Sequence, residues 1–543
     1  MDAFGPHTPL EHRLFASGEE YYPHYGSASG KLLYGEDGLF IGTETTDEVD
    51  PPSRALSWIP ALHRQALSQI IPLAAPVWVT HLAQSAEYAV FISIMGHEGQ
   101  EELAATSLAM LFCTITGMSV IAGMFAGLDT LGSQAFGAKN YRRVGILFQR
   151  GLLVSFVQCA LVVPIWLNAL PIFRLFTDET TAASAAYFVR VATLWLPGEA
   201  LLAGMERYLK CQGNTVPGMI LNICSAVFQM VLNYYLIRHL RIGYIGAAYS
   251  MILAVWLSAT ALLLYIAASG ECAKTWTGFS REAFRDWGSY LRVGLPGMGM
   301  MCAEWWAFEI HAIISTQLGT AAMAAHSILT SIMYFFAMFH HSVSAATETL
   351  VGIALGANKP GRARAMAHVA LGLCLVVQVF SVLVVTVLRR YLEQFFCSDP
   401  EVTYLVDASV LALNMYIFFD GFQSIASGIL SGMGGQSFGF YTNLVVYWVV
   451  SIPAAWYFAL HLGHALKPGT RPGAAIVGDA VEAKSFAGPL TVRDSAGLGV
   501  GGQWLALALG ALAVAVIVIR RVFTQNWAKI AQDVYERESM FVS

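Results

Sequence analysis

The sequence predicts an all-α integral membrane protein with about twelve transmembrane helices, arranged as two pseudo-symmetric bundles of six. Three observations predict this fold class. Only 12% of the 543 residues are charged and 56% are hydrophobic, whereas soluble domains carry about 25% charged and about 45–50% apolar residues. The apolar residues form runs of about 20, the length of helix that crosses a bilayer. The third observation is an internal repeat with an offset of about 220 residues.

The predicted elements follow one another along the chain. Residues 1–66 are rich in Gly, Ser, Pro and acids, so we expect a mobile, disordered N-terminal tail there. The apolar runs of the first bundle cover 69–95, 103–133, 146–169, 183–210, 216–238 and 243–268. Those of the second cover 288–315, 320–354, 364–388, 403–433, 437–461 and 503–522.

These runs define the expected domains. They are an N-lobe at 67–272, a cytoplasmic inter-lobe connector at 273–287, a C-lobe at 288–522 that includes a loop at 463–502, and a C-terminal tail at 523–543.

Lys and Arg residues set the expected orientation, because the cytoplasmic loops of membrane proteins carry an excess of them. Three connectors, after the second, sixth and eighth runs, contain the basic residues Lys139, Arg142, Arg143, Lys274, Arg281, Arg285, Lys359, Arg362 and Arg364. The pairs Arg238/Arg241 and Arg389/Arg390 disagree. The majority predicts that both termini are cytoplasmic, and the choice between plasma and vacuolar membrane stays open.

Composition argues against several functional classes. A net charge of −5 without a basic block gives no indication of nucleic acid binding. The eight cysteines are scattered without a CxxC pair, so we expect neither a disulfide framework nor a zinc site. His340 and His341 lie about 100° apart on a helix, a poor geometry for sharing a metal ion. No phosphate-loop motif is present, so we expect no direct ATP coupling. We also expect no cofactor, no metal and no enzymatic activity.

The internal repeat consists of three landmarks in constant order. The landmarks, each with its repeat, are Gly99 and Gly319, 129–138 and 348–357, and 209–222 and 430–443. Six helices per half is an even number, so both halves insert in the same direction and are related by an axis along the membrane normal. Such repeats place a substrate cavity between the halves and suit alternating access. We therefore expect a secondary transporter.

Four segments carry a family resemblance. They are Gly96-His97-x-Gly99-x-x-Glu102-Leu103-Ala104, Leu128-Asp129-Thr130-Leu131-Gly132-Ser133-Gln134-Ala135-x-Gly137-Ala138, Glu304-Trp305-Trp306-Ala307-Phe308-Glu309 and Ser427-Gly428-Ile429-Leu430-x-Gly432-x-Gly434-x-Gln436. Together they resemble the multidrug and toxin extrusion (MATE) family in its eukaryotic branch, over about residues 66–461. The resemblance implies a monomeric, two-lobed antiporter that exports organic cations, xenobiotics or metabolites against a proton gradient, or a sodium gradient in some members.

The chain departs from the family pattern at five positions. Gly132 replaces a usual Cys, Leu350 and Ile353 replace Arg and Asn, Ser431 replaces Arg, and Ser331 stands near a Glu of animal relatives. These departures leave the fold prediction intact and the substrate range open.

Acidic residues inside the apolar runs are the main candidates for function. A charge at the centre of a membrane helix costs about 2.5–3.5 kcal/mol on insertion scales, so each needs a reason. A desolvated carboxyl group also binds protons more readily than one in water, as a proton antiporter requires. The candidates are Glu87, Glu199, Glu206, Glu304, Glu309 and Asp420, with Asp129 and Glu348 near the cytoplasmic ends of helices 2 and 8.

Glu304 and Asp420 are the predicted proton-coupling pair. Glu304 opens the Glu-Trp-Trp segment and Asp420 precedes the helix-10 segment, and the family resemblance implies that acids at these positions pair in the C-lobe of plant members. We expect them to face each other and share the transported proton. The alternative is a permanent structural hydrogen bond.

The other acids have weaker predicted roles. Glu309 lies about 140° around the helix from Glu304, so it either contacts the substrate cation in the cavity or pairs with a polar neighbour. Glu199 aligns with Asp420 in the repeat and, with Glu87 and Glu206, forms a secondary set in the N-lobe. Asp129 and Glu348 are expected to cap or gate helix ends rather than couple protons.

Aromatic residues near the acids are candidates for a cation-binding cavity, because ring faces attract cations. The candidates are Trp305, Trp306, Tyr334, Tyr416 and Phe419. The alternative for each is simple packing or anchoring at the membrane interface.

A proton-coupled antiporter is therefore the leading prediction. Its alternatives are a sodium-coupled exporter and a lipid-linked flippase, and a flippase needs a strongly basic cavity, whereas the helices here carry acids. A membrane-embedded transferase would need a polar catalytic constellation that is not apparent. A channel would need rings of charge.

Overall fold

The computed structural model describes residues 31–34, 40–44, 60–396, 399–461 and 498–541, and these are almost entirely helical. The long helices of the N-terminal half are α1 (Ala61–Glu98), α2 (Gln100–Gly137), α3 (Tyr141–Leu167), α4 (Glu179–Ala192 with Trp195–Lys210), α5 (Val216–His239) and α6 (Ile245–Ala268). Those of the C-terminal half are α7 (Trp287–Gln317), α8 (Thr320–Gly356), α9 (Pro360–Phe396), α10 (Pro400–Gly432), α11 (Gln436–Leu460) and α12 (Gly499–Thr524). A shorter helix, α13 (Trp527–Ser539), follows.

The apolar character of these helices fits a membrane protein. Among the described residues, ten helices are long and apolar enough to span a bilayer, and the two parts of α4, bent by 51°, form an eleventh if they make one span. Helix α7 has 31 residues but is not among the ten, because Glu304 and Glu309 interrupt its apolar sequence. The all-helical fold class predicted from the sequence is confirmed.

Irregular turns interrupt three of the spans. The stretches Thr114–Met118 in α2, Tyr235–His239 in α5 and Leu444–Ser451 in α11 are π-helical. A π-helical turn inserts an extra residue and rotates the following side chains, and such turns are frequent at functional sites. In α11 this stretch buries Tyr447 completely.

The two halves repeat each other in backbone conformation as well as in sequence. Lys139 and Asn358, which follow α2 and α8, both adopt the left-handed conformation, with φ of 59° and 55°. Gly213 and Gly434, which follow α4 and α10, have φ of 83° and 82°. Both pairs are about 220 positions apart, so the structure supports the predicted duplication.

The halves are packed tightly at the end of the bundle where the connectors after α2, α6 and α8 lie, which we call the connector end. Thr130 Oγ1 donates to the carbonyl of Ser431 at 2.9 Å, and Gln134 Nε2 donates to the carbonyl of Gly432 at 2.9 Å. A Cβ atom on Gly356 would collide with the backbone of Gln134. The glycine is therefore needed for α2 and α8 to close this end.

Toward the middle of the bundle, α7 still contacts α2, since Trp306 Nε1 donates to the carbonyl of Ile115 at 3.2 Å. Farther from the connector end, Tyr88 and Tyr334 are each about half exposed, at 53% and 51%. The arrangement indicates a cleft between the halves that is closed at the connector end.

Three segments predicted as irregular contain regular structure. An antiparallel hairpin, β1 (Lys31–Tyr34) and β2 (Phe40–Glu44), lies inside the predicted tail 1–66. In the sequence, apolar residues flank Gly-Glu-Asp-Gly there. This pattern is a hairpin signal that the overall composition of the segment does not reveal. Helix α1 already begins at Ala61, and α13 lies inside the predicted tail 523–543. Of the loop 463–502, residues 463–497 lie outside the described residues.

Candidate functional site

A polar centre lies inside the C-terminal half, where four helices converge. Helix α10 contributes Asp420 and, one turn later, Gln423; α8 contributes His340, α9 Gln378, and α7 Glu304. Asp420, His340, Gln378 and Gln423 are buried, at no more than 2% exposure. Because buried polar groups require partners, the contacts among these side chains define the site.

His340 connects Asp420 to α9. Its Nε2 atom lies 3.0 Å from Oδ2 of Asp420, and its Nδ1 atom accepts a hydrogen bond from the Gln378 amide at 2.9 Å. A neutral imidazole carries its proton on the nitrogen that does not accept a hydrogen bond. His340 therefore presents an N–H group to the Asp420 carboxylate.

Glycine 421 makes room for this arrangement. A Cβ atom at Gly421 would lie 2.7 Å from Cγ of Gln378 and closer still to its amide group. The residue after Asp420 therefore has to be small for Gln378 to reach His340.

Glu304 enters the same centre from α7 with a different partner. It is half-buried and lies beside Gln423, and Asp420 is within electrostatic range. The carbonyl oxygen of Gln423 accepts from the Tyr447 hydroxyl at 2.5 Å, which turns the amide nitrogen away from Tyr447. The structure thus brings the predicted pair Glu304 and Asp420 into one centre, and His340 and the Tyr416 hydroxyl are in direct contact with Asp420.

His341 lies next to this centre, and its position contradicts the prediction about the two adjacent histidines. Ligand atoms of His340, His341 and Asp420 all lie within 4.8 Å of one another, so the prediction that the two histidines are poorly placed for a common ion is wrong in its geometry. The ring centroids are 4.9 Å apart, because long side chains on adjacent positions converge despite the 100° rotation. His341 Nδ1 pairs with Ser424 Oγ at 3.1 Å.

The N-terminal half contains its own polar centre, built from α1, α4 and α5. Glu206 accepts from Asn222 Nδ2 at 2.5 Å, and Asn222 Oδ1 accepts from Gln84 at 3.4 Å. Glu87 accepts from Gln229. The direct partners of these carboxylates are side-chain amides.

Glu199 belongs to the same centre. Glu206 and Glu87 both lie within its electrostatic range. The three acids of the secondary set are therefore together, as the repeat suggested for Glu199, but on the opposite half from Glu304 and Asp420.

Asp129 and Glu348 lie together at the connector end. Asp129 is 1% exposed and forms ion pairs with Arg207 and with Lys210, whose Nζ lies at 2.8 Å. Glu348, from the other half, is within electrostatic range of the same two cations. Asp129 and its two cations belong to the N-terminal half, and Glu348 faces them from the C-terminal half, so a capping or gating role for these two acids stays a prediction.

Some of the aromatic candidates line the cleft, and others are packed inside the bundle. Tyr334 is half exposed and lies near Glu309 and Tyr88, so the cleft wall joins α1, α7 and α8 there. Glu309 is itself only half-buried. These residues fit the predicted cation-binding cavity.

Tyr416 does not line the cleft, in contrast to its prediction as a cavity residue. It is 1% exposed and packs edge-on against Phe308 and Trp504, each at a centroid distance of 5.6 Å. Trp306 contacts the backbone of α2 and so serves the interface between halves. Trp305 and Phe419 are half-buried.

Sequence reasoning missed His340, Gln378, Gln423 and Tyr447 as members of the site. A histidine inside an apolar helix is itself an ionisable group that needs a reason, and Gln378 interrupts an otherwise apolar run. Both features could have been recognised in the sequence. The contact between the two side chains could not be predicted, because it depends on how α8, α9 and α10 are rotated relative to one another.

Two homologous bundles of membrane helices, each with buried acids and with a cleft between them, define the class of secondary transporters that work by alternating access. A model of the MatE family matches residues 76–235 and 296–457, once in each half. The chain therefore belongs to the MATE family. It is an integral multi-pass membrane transporter and not an enzyme.

Individual relatives agree with this membership. An uncharacterized transporter of Schizosaccharomyces pombe is 32% identical over 394 residues, 72% of each chain. Multidrug and toxin extrusion protein 1 of Homo sapiens is 31% identical over 404 residues, 74% of this chain and 71% of the relative. The crystal structure of the eukaryotic MATE transporter AtDTX14 has a TM-score of 0.77 and 26% identity, covering 88% of this chain and all of that one.

A Vibrio cholerae MATE transporter is similar in fold, with a TM-score of 0.74 at 16% identity.

Proposed function

We propose that the protein is a secondary antiporter that exports small organic cations or metabolites in exchange for protons. The observation that carries this proposal is the buried centre of Glu304, Asp420 and His340 in the C-terminal half. Ionisable groups inside membrane helices mark ion pathways and proton relays. Several such groups close to one another offer more than one place for a proton.

Proton coupling is favoured over sodium coupling by the partner of Asp420. Hard cations bind to sets of oxygen ligands, whereas an imidazole nitrogen lies 3.0 Å from one Asp420 oxygen. A proton needs only one acceptor, and the centre supplies two carboxyl groups, those of Glu304 and Asp420. A sodium-coupled mechanism is the alternative outcome of the experiment below.

An organic cation as substrate is supported by the cleft. Glu309, Tyr88 and Tyr334 form a wall with one carboxylate and two aromatic rings, and both kinds of group attract cations. A flippase for lipid-linked anions would need basic residues there. The name multidrug and toxin extrusion protein, which the human relative carries, agrees with this substrate class.

The proposed orientation rests on the basic connectors, which favour a cytoplasmic location for the connector end. Both termini would then be cytoplasmic. Antibody access to tags at each terminus, before and after permeabilising cells, tests this orientation, and a tag accessible on intact cells contradicts it.

The proposed function is tested by flux of a fluorescent organic cation in sealed proteoliposomes under an imposed pH gradient. We expect wild-type flux to follow the gradient and to stop when an uncoupler collapses it. Glu304→Gln and Asp420→Asn should lose gradient-driven flux, whereas Glu401→Gln, an exposed acid in the first turn of α10, should not.

Each other outcome has a distinct meaning. A Glu304→Gln variant that still concentrates substrate overturns the assignment of the coupling site. Flux that responds only to a sodium gradient overturns proton coupling and leaves the transporter class. If no gradient moves any cation tested, the substrate class is wrong.

A further inference from the structure

The two acids of the C-terminal centre have unequal surroundings. Asp420 is 2% exposed and faces the His340 N–H group at 3.0 Å. Glu304 is half-buried and lies beside an amide, that of Gln423. An N–H group close to a carboxylate stabilises its charged form. The geometry therefore favours the negative charge on Asp420 and leaves Glu304 as the group that is free to bind a proton.

The other groups that face this centre do not remove the difference. They come from every helix packed around it, namely Cys374 on α9, Tyr416 on α10, Tyr447 on α11, Tyr334 and His341 on α8, and His81 on α1. None of these is a permanent cation, and the tyrosine hydroxyls and the thiol are neutral at physiological pH. The Tyr416 hydroxyl also contacts the Asp420 carboxylate, so Asp420 has two donors beside it, and His340, oriented by Gln378, is the ionisable one that can be exchanged for an amide or a hydrocarbon.

We propose that His340 is a positioning residue that holds Asp420 in its charged form, so that the proton exchanged for substrate is carried by Glu304. This inference rests on the proposed function as a proton antiporter. The imidazole suits the role because it supplies a donor without a permanent charge. A lysine or arginine there would neutralise Asp420 permanently and weaken its electrostatic influence on Glu304.

The test compares two substitutions that differ only in the donor. His340→Gln keeps an N–H group at a similar reach, and His340→Leu removes it while keeping most of the volume. We expect His340→Leu to let Asp420 take up the proton as well as Glu304, and so to shift the pH profile of flux toward alkaline pH by about one unit, because loss of a nearby N–H group has about this effect on a carboxylate. His340→Gln should restore the wild-type profile.

A second readout is the number of protons released when substrate binds to purified protein in detergent, measured with a pH dye. Wild type and His340→Gln should release protons and Glu304→Gln should release none. Equal impairment of both His340 variants with an unshifted pH profile would mean that His340 only packs, and would overturn the inference while proton antiport stands. A wild-type protein that ignores the pH gradient and releases no proton overturns both proposals.

An independent set of contacts concerns α13 at the connector end. Its buried residues Trp527, Ala531, Val534 and Glu538 follow one another at spacings of three and four, which places them on one face of the helix. Trp527 and Ala531 pack into the apolar core of the C-terminal half. This face therefore anchors α13 to α8 and α9.

The last turn of α13 contacts the other half. Glu538 is fully buried, 3.2 Å from Nε of Arg143 at the start of α3. Arg537 donates to Oε1 of Gln134 at the end of α2, at 2.5 Å. The Arg143 guanidinium also lies 3.5 Å from the centre of the Phe541 ring.

These contacts join the two halves on the surface of the closed end. Gln134 is bonded at the same time to α13 and to the carbonyl of Gly432. Alternating access requires the connector end to open, and opening separates α2 and α3 from the C-terminal half. The Arg143–Glu538 ion pair must break in that step, or α13 must detach from the apolar core of the C-terminal half.

We propose that α13 is a latch that holds the connector end closed. Breaking a buried ion pair by removing one partner is strongly unfavourable for the state that contains it. Neutralising Glu538 should therefore shift the protein toward the state that is open at this end.

The test uses the full-length protein with Ser133→Cys, which places a thiol at a buried position of α2 facing α8. We expect Glu538→Gln to increase labelling at position 133 by an impermeant maleimide at least about tenfold, because loss of the ion pair favours the open state. The matched control is Glu536→Gln, an exposed acid on the same helix, which should leave the rate unchanged.

Arg537→Ala, which removes the contact with Gln134 and the bond from Arg537 to Oε1 of Glu538 but keeps the Arg143–Glu538 ion pair, should give a smaller increase. Unchanged labelling in Glu538→Gln and Arg537→Ala, with the melting temperature preserved, would show that α13 is merely seated there and would overturn the latch.

Discussion

At the scale of single residues, the buried acids differ in the partners that surround them. Asp129 is held by two cations, Arg207 and Lys210. Glu304 lies beside an amide and another acid. A carboxyl group between two cations stays ionised, whereas one without a neighbouring cation can bind and release a proton. The first kind of acid stabilises a conformation, and the second kind suits proton coupling.

This difference predicts that two isosteric substitutions change the free energy of unfolding to different extents. Asp129→Asn leaves the half-buried cations Arg207 and Lys210 with only Glu348 near them as counter-charge, so we expect the free energy of unfolding to fall by about 3 kcal/mol. Glu304→Gln removes a buried charge that has no cationic partner among the described residues, so we expect no loss of stability. Thermal unfolding of both variants in detergent measures the difference.

The comparison also has a clear negative result. If Glu304→Gln is the more destabilised of the two, Glu304 is a structural residue and its assignment to proton coupling fails. Asp129→Glu, which retains the charge, serves as the control and should recover part of the lost stability.

The sequence was sufficient to find Glu304 and Asp420, because a charge in an apolar run is costly wherever it lies. It could not identify their partners. His340 lies on α8 and Gln378 on α9, and whether two side chains on different helices meet depends on helix rotation and tilt. The prediction for Tyr416 differed for the same reason, since its face of α10 packs against Trp504 rather than toward the cleft.

At the scale of helices, small residues determine how closely α2 and α8 approach. Gly137 lies against the carbonyl of Ile353, and Gly356 lies against the backbone of Gln134. Each site allows backbone contact that a larger residue would prevent. The repeat places the two glycines at equivalent positions, so the closed contact is nearly symmetric.

Gly356→Val is therefore expected to prevent closure of the connector end. A Cβ at this position would overlap the backbone of Gln134, and backbone cannot give way by a rotamer change. We expect flux to fall at least about tenfold and labelling of a thiol introduced at position 133 to rise, since overpacking of a tight contact costs about 1–3 kcal/mol. Gly361→Ala, where no atom lies within 4 Å of the added Cβ, is the control and should transport normally.

The apolar runs predicted where the helices lie but not where they begin. Helix α1 starts at Ala61, before the run that begins near residue 69, because its first turns carry polar residues such as His63 and Arg64. Hydropathy measures the part of a helix that is apolar, and the helical hydrogen bonds continue beyond it. The π-helical stretches had no sequence signal, since they depend on packing against neighbouring helices.

At the scale of the molecule, the repeat was the most informative feature of the sequence. It predicted two equivalent halves, and the paired left-handed residues after α2 and α8 and the double match to the MatE family agree with it. It could not predict which end of the cleft is closed, because both conformations of an alternating-access transporter have the same sequence. The closed connector end is a property of the particular state.

Movement of the halves relative to each other is testable with a reversible cross-link. Ser133 on α2 and Gly352 on α8 face each other so closely that a Cβ at position 352 would lie 3.0 Å from Cβ of Ser133. Disulfides join Cβ atoms about 3.5–4.5 Å apart, so a small adjustment allows Ser133→Cys and Gly352→Cys to pair. The bond would hold the connector end closed.

We expect oxidation of this double variant to abolish organic-cation flux and reduction to restore it, because the opening step of alternating access is blocked. The two single variants should be insensitive to the oxidant, which excludes an effect through the native cysteines. If the cross-linked protein forms in high yield and still transports at the wild-type rate, the halves do not separate at this end during the cycle. Rocking of the two lobes about the central site would then be the wrong mechanism for this transporter, and a path confined to one lobe would have to replace it.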